Sequence, residues 1–77
     1  MADPDPRALA LRLCKALAVD VAGRTGMYRN PALIASRARI RSRVDVDRAI
    51  AYARAQGWLE VDDNRDVCLT EKGTRLD

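Results

Sequence analysis

The sequence has no histidine, no phenylalanine and only two cysteines, Cys14 and Cys68, among its 77 residues. Histidine is the commonest metal ligand and a frequent general base, so its absence removes most catalytic and metal-binding arrangements. The two thiols show no zinc-ligand spacing, and no nearby base would activate either of them as a nucleophile. We therefore expect that the protein is not an enzyme and that it has neither a metal centre nor a cofactor. Two cysteines do not form a disulfide framework either, so both thiols are expected to be reduced and buried.

Aromatic residues and long apolar runs are also scarce. The aromatic residues are Tyr28, Tyr52 and Trp58. They are too few and too scattered to form a platform on which the bases of single-stranded nucleic acid would stack. The apolar segment near the N-terminus is interrupted by Arg12 and Lys15, which argues against a signal peptide and a membrane span. We expect a cytoplasmic protein without membrane contact.

Acidic residues are missing from one stretch, between Arg24 and Arg43, which contains six arginines. The charges before this stretch cancel, and the segment from Asp45 onward carries a net charge of −3, which leaves +3 for the chain. A concentrated basic segment attracts phosphate groups, and arginine suits forked contacts to phosphate or guanine. The alternative is an arginine bias inherited from a GC-rich genome, which would have no functional meaning.

Capping signals and hydrophobic periodicity predict three helices. Asp5-Pro6 begins the first helix, which is expected to end near Gly23, and a short extended piece follows over residues 26–29. Asn30-Pro31 begins the second helix, which extends to about Ile40. Its expected buried side consists of Leu33, Ile34, Ala38 and Ile40. The third helix is expected to begin at Ser42, with Asp45 as a capping-box partner, and to end at Gly57.

After Gly57 the apolar period changes from helical to two. Two alternating segments flank a turn-rich stretch, residues 62–66, and predict a β-hairpin. Its inward-facing residues would be Leu59, Val61, Val67 and Leu69. Thr70 is expected to cap a last helical turn. These elements predict one domain over residues 7–77, preceded by a disordered tail over residues 1–6.

The segment AIAYARAQGWLEV, residues 49–61, followed by LTEKG, residues 69–73, resembles the winged helix-turn-helix family, particularly bacterial regulators of the MarR and GntR kinds. The resemblance covers residues 34–73, about half of the chain. It implies an α+β fold, a small winged helix with three helices, a C-terminal β-hairpin wing and a short strand between the first two helices. It also implies double-stranded DNA as a partner, and a role as a small transcriptional regulator or accessory factor associated with the nucleoid.

In this family the third helix enters the major groove with its N-terminal residues facing the base edges. Carried over to this sequence, those positions are Arg43, Val44, Asp47, Arg48 and Ala51. The implied DNA-binding residues are Arg37, Arg39, Arg41, Arg43, Arg48, Tyr52 and Arg65. Arg37, Arg39 and Arg41 would hold the phosphate backbone, Tyr52 would bond a phosphate, and Arg65 would lie at the tip of the wing. Arg39 occupies the place where the common pattern has a turn glycine.

Two alternatives remain open on the sequence alone. The spacings Arg41–Asp45 and Arg43–Asp47 suit ion pairs on a helix, so the arginine series would form a self-neutralised surface. The acidic residues of the hairpin would also repel phosphates, which favours a winged-helix module that binds a protein partner at the acidic wing instead of DNA. In either case Leu11 and Ala18 lie off the main apolar stripe of the first helix and would provide a homodimer contact.

Overall fold

The computed structural model describes residues 5–76. Within this range the chain forms four helices, α1 (Pro6–Asp20), α2 (Pro31–Arg37), α3 (Arg43–Ala55) and α4 (Glu71–Thr74). Two strands, β1 (Leu59–Val61) and β2 (Val67–Leu69), pair as an antiparallel hairpin. The α+β class is thereby confirmed, and the last helical turn predicted after Thr70 is present as α4, in addition to the three longer helices. Positions 1–4 of the expected tail lie outside the described residues, whereas Asp5 and Pro6 already belong to α1 as its cap and first residue.

The N-terminal caps predicted for the first two helices are both present. The Asp5 carboxylate accepts a hydrogen bond from the Arg7 amide at 3.0 Å, and the Asn30 side chain accepts one from the Ala32 amide at 2.9 Å. The capping box predicted for α3 is wrong, because Ser42 makes no side-chain capping bond. Asp45 still lies in the first turn of α3, where its negative charge interacts favourably with the helix dipole.

The extended piece predicted between the first two helices is reduced to a single β-bridge. Arg29 pairs antiparallel with Val67, and their backbones exchange two hydrogen bonds of 2.8 and 2.9 Å. This bridge places Tyr28 beside β2, and a hydrogen bond to the Cys68 side chain raises the pKa of Tyr28 above its ordinary value. Since this segment lies alongside β2, Cys68 is buried together with its inward-facing neighbours, which strand alternation alone did not predict.

The core lies chiefly between α1, α3 and the hairpin. Its largest fully buried side chains are Leu13, Leu17, Ile34, Leu59, Leu69, Val67 and Cys14. The buried positions predicted for Ile34, Ala38 and Ile40 are confirmed, but Leu33 is 49% exposed. The reason is the shortness of α2, whose two turns bury only one side, and Ile34 and Ala35 occupy it. Val61, which was predicted to face inward, is only half-buried, next to the turn of the hairpin.

Two thiols are free and buried, as predicted. Burial raises the pKa of the Cys14 thiol from 9.0 to about 12, since the core disfavours the charged thiolate.

No helix among residues 5–76 has the length and apolar character needed to cross a membrane.

Candidate nucleic-acid interface

The corner between α2 and α3 is closed by an arginine in the left-handed backbone conformation. Arg39 has φ = 60°, in the region that ordinarily favours glycine. Its amide bonds the Ser36 carbonyl at 3.1 Å, and the next amide, of Ile40, bonds the Ala35 carbonyl at 2.9 Å. These two bonds end α2 and turn the chain inward, so that Ile40 is buried while the Arg39 side chain remains exposed.

A guanidinium from α1 holds the same corner from behind. Arg12 donates from Nη2 to the Ala38 carbonyl at 2.7 Å and to the Arg39 carbonyl at 3.2 Å. These carbonyls belong to the C-terminal end of α2, where a positive charge is favourable. Sequence reasoning did not identify this role of Arg12, because the residues it bonds are 26 and 27 positions away and share no local pattern with it.

An open groove of about 1240 Å³ lies between α2, the start of α3 and the turn of the hairpin. Its apolar lining includes Ala35, Ile40, Val46, Ile50 and Val61. Four arginines border it, namely Arg39, Arg41, Arg43 and Arg65. Arg65 comes from the hairpin turn, where its φ of 64° bends the chain tightly. The fold therefore brings together arginines from two separate parts of the chain, residues 39–43 and the hairpin turn.

The ion pairs that would have neutralised this surface do not form. Among residues 5–76, no ion pair involves the side chains of Arg39, Arg41, Arg43 or Arg65. Arg41 lies in the non-helical turn before α3, so the helical spacing that would bring it near Asp45 does not apply. Arg43 and Asp47 both lie on α3 but remain exposed and unpaired. The four guanidinium groups are thus available to an external anion.

The other predicted site residues lie outside the groove. Arg37 pairs through Nη1 with the Asp20 carboxylate at 3.0 Å, and Arg29 pairs with the same carboxylate at 2.9 Å. Tyr52 is half-buried and packs on Trp58, with 5.7 Å between the ring centroids. Arg48 is exposed on α3 but does not line the groove. Of the seven predicted residues, the structure gathers four in one place.

The outer face of α3 is open to solvent. The positions that the resemblance assigns to base edges are Arg43, Val44, Asp47, Arg48 and Ala51, and all five are exposed. Val44 is 58% exposed although it is apolar. Ala51 has a short side chain, so a large partner can approach the helix backbone closely at that point.

The acidic residues of the hairpin turn have different roles. The Asp62 carboxylate accepts hydrogen bonds from the amides of Asn64 at 2.9 Å and Asp66 at 2.8 Å, and so it shapes the turn. Asp66 is half-buried and lines the groove together with Asp47. The groove therefore contains two aspartates against four arginines, which leaves it with a net positive charge of two.

The predicted homodimer residues of α1 are half-buried. Leu11 and Ala18 pack in part against the core of their own chain, which leaves only a portion of each for a partner.

Comparison of the chain with protein-family models, with curated proteins and with solved structures finds no match. The groove itself is therefore the feature that points to a function.

Proposed function

We propose that this protein is a small winged helix-turn-helix protein that binds double-stranded DNA, with α3 in the major groove and the hairpin as the wing. The observation that carries the proposal is the groove bordered by four arginines that form no ion pair within residues 5–76. Bringing four cations together with only two aspartates to offset them costs stability through repulsion, and an arrangement of this kind suits a partner with regularly spaced negative charges.

In this proposal the position of each arginine in the fold decides which part of the DNA it contacts. Arg39 and Arg41, in the turn before α3, contact phosphates on one side of the major groove, and Arg65 contacts the backbone or the minor groove from the wing. Arg43, at the first turn of α3, is placed to contact a base edge or a phosphate. Arg48 and Tyr52, further along α3, serve as peripheral phosphate contacts, and Arg37 contributes only where a phosphate displaces Asp20.

The cellular role that fits such a domain is that of a transcriptional regulator or accessory factor in the cytoplasm, associated with the nucleoid. A dimer through the exposed portion of Leu11 and Ala18 would place two α3 helices on one duplex. Its half-site spacing would be close to one turn of DNA, about 34–36 Å.

The test is a titration of fluorescent mixed-sequence duplex DNA with the full chain, at about 50 and about 200 mM salt. We expect binding that weakens steeply with salt, because arginines that neutralise phosphates release condensed cations. Changing Arg41→Ala and Arg43→Ala together is expected to weaken binding roughly 10- to 100-fold and to reduce the salt slope by about 2.

The matched control is the double change Arg7→Ala and Arg75→Ala. It removes the same charge from exposed positions outside the groove and is expected to alter affinity far less. Equal weakening in both double variants would show that only overall charge matters and would contradict the assignment of the groove.

Two features favour a second function. The apolar side chains of Leu33 and Val44 are exposed, and two aspartates line the groove. These suit a winged-helix module that binds a protein partner rather than DNA. The same titration separates the two functions. A folded protein, verified by circular dichroism, that does not bind duplex DNA at low salt would favour the interaction module.

A further inference from the structure

The groove contains an aspartate whose position is unfavourable for phosphate binding. Asp47 is exposed on α3, lines the groove beside the arginines, and forms no ion pair or hydrogen bond through its side chain within residues 5–76. A carboxylate here repels every phosphate that approaches, so it lowers affinity for duplexes of any sequence. Only a group that donates a hydrogen bond to this carboxylate can add binding energy that offsets the repulsion.

The donors exposed in the major groove are the amino groups of cytosine and adenine. An ionised carboxylate only accepts hydrogen bonds. The adenine amino group lies beside N7, another acceptor, which would face and repel a carboxylate oxygen. The cytosine N4 amino group has no such acceptor next to it on its own base. Chemistry therefore favours cytosine over adenine, guanine and thymine as the partner of Asp47.

We propose that Asp47 is a specificity-determining residue that accepts a hydrogen bond from the N4 amino group of a cytosine in the major groove. The inference rests on the proposed DNA binding and assigns a sequence preference to it. Arg43 lies one helical turn earlier on the same side of α3, about 6 Å along the axis. Base pairs repeat every 3.4 Å or so along a strand, and Arg43 therefore faces a base pair roughly one or two steps away.

The test selects bound duplexes from a pool with a randomised central segment and reads the base preference at each position. The wild-type chain is expected to prefer cytosine at one position by about tenfold. The change Asp47→Asn is expected to transfer that preference to adenine, because an amide both donates and accepts and so matches adenine N6 and N7. Asp47→Ala is expected to abolish the preference at that position.

Asp45→Asn is the matched control. It removes the same negative charge from the same helix, but Asp45 is half-buried and does not line the groove. Affinity for mixed-sequence DNA is expected to rise in both asparagine variants, whereas the cytosine preference is expected to survive only in Asp45→Asn. Circular dichroism verifies that each variant is folded.

Each outcome separates the inference from the function on which it rests. A cytosine preference that survives in Asp47→Asn, or that disappears equally in Asp45→Asn, would overturn the role of Asp47 while DNA binding stands. Binding without any base preference would do the same. A folded wild-type chain that binds no duplex at low salt would overturn both.

Discussion

Two properties of Arg39, its backbone conformation and the charge of its side chain, place opposite demands on one residue. Its backbone has φ = 60°, which costs a side-chain-bearing residue about 1–2 kcal/mol relative to the right-handed region. Its side chain, however, borders the groove and adds one of the four cations. A glycine would relieve the backbone and remove the charge. Stability and binding are therefore expected to respond in opposite directions at this position.

We predict that Arg39→Gly raises the free energy of unfolding by about 1 kcal/mol and reduces the salt slope of the proposed DNA binding by about 1. Urea unfolding and duplex titration measure the two effects. Arg41→Gly is the control, because it removes an equivalent charge at a position without positive φ. It is expected to weaken binding without stabilising the fold. A loss of stability in Arg39→Gly would show that the corner carries no strain.

At the scale of elements, the contact between α4 and the chain that follows α3 accounts for the threonine and the glycine of the segment LTEKG. The Thr70 hydroxyl accepts a hydrogen bond from the Gly73 amide at 3.1 Å and donates one to the Gly57 carbonyl. Gly73 is buried, and a Cβ atom there would lie 2.0 Å from the Trp58 carbonyl oxygen and 2.8 Å from Leu69 Cδ1. The glycine thus permits α4 to pack directly on the chain entering β1.

We predict that Gly73→Ala destabilises the protein by about 1–3 kcal/mol, because the added methyl group must displace backbone atoms. The direction is informative, since alanine ordinarily stabilises a helix relative to glycine by about 0.5–1 kcal/mol. Lys72→Ala, at the exposed neighbouring position, is the control and is expected to have a small effect. Thermal unfolding of both variants measures the difference. Stabilisation by Gly73→Ala would contradict the close approach.

The elements that carry the groove are also tied to one another by charge. Arg12 of α1 bonds the carbonyls at the end of α2, and Asp20 at the end of α1 bridges Arg29 and Arg37. These contacts tie the C-terminal end of α2 to α1, although α2 has only seven residues and buries few of them. A helix of this length is marginal by itself, so tertiary contacts supply much of its stability.

At the scale of the whole molecule, the core is richest in leucine and alanine and contains no phenylalanine. Alanines at Ala10, Ala49 and Ala53 are completely buried, which allows α1 and α3 to approach closely. A chain of 77 residues buries only about 60–65% of its unfolded surface. The stability of the whole domain is therefore sensitive to any group that becomes charged inside this core.

Cys14 is such a group, and it links global stability to pH. Its pKa is raised from 9.0 to about 12 in the folded state, so the folded chain retains a proton that the unfolded chain releases. This contribution is complete below about pH 9 and is lost as the pH rises from there towards 12. At about pH 10 the loss amounts to roughly 1 kcal/mol.

We predict that wild-type stability falls more steeply than that of Cys14→Ala between about pH 8 and pH 10. Urea unfolding at both pH values measures the two slopes, so the cavity left by the substitution cancels in the comparison. The other titrating groups are shared by both chains. Equal slopes would show that the thiol is no more difficult to ionise in the folded protein than in the unfolded one.

The sequence by itself determined the elements of this protein, because their signals act over a few residues. Asp5-Pro6 and Asn30-Pro31 begin helices, Gly57 ends one, and the change of period after it produces the hairpin. These features depend on backbone capping and on the alternation of apolar side chains, both of which are local. The arginine series was likewise visible, together with its place at the corner between two helices.

Only the tertiary structure decided which of those arginines lie together in the groove. Arg65 lies near Arg39, Arg41 and Arg43 because the hairpin turn is opposite the start of α3. Arg37 instead forms an ion pair with Asp20 of α1. The support from Arg12 also depends on segments distant along the chain. Contacts of this kind are set by packing between elements, and no local pattern encodes them.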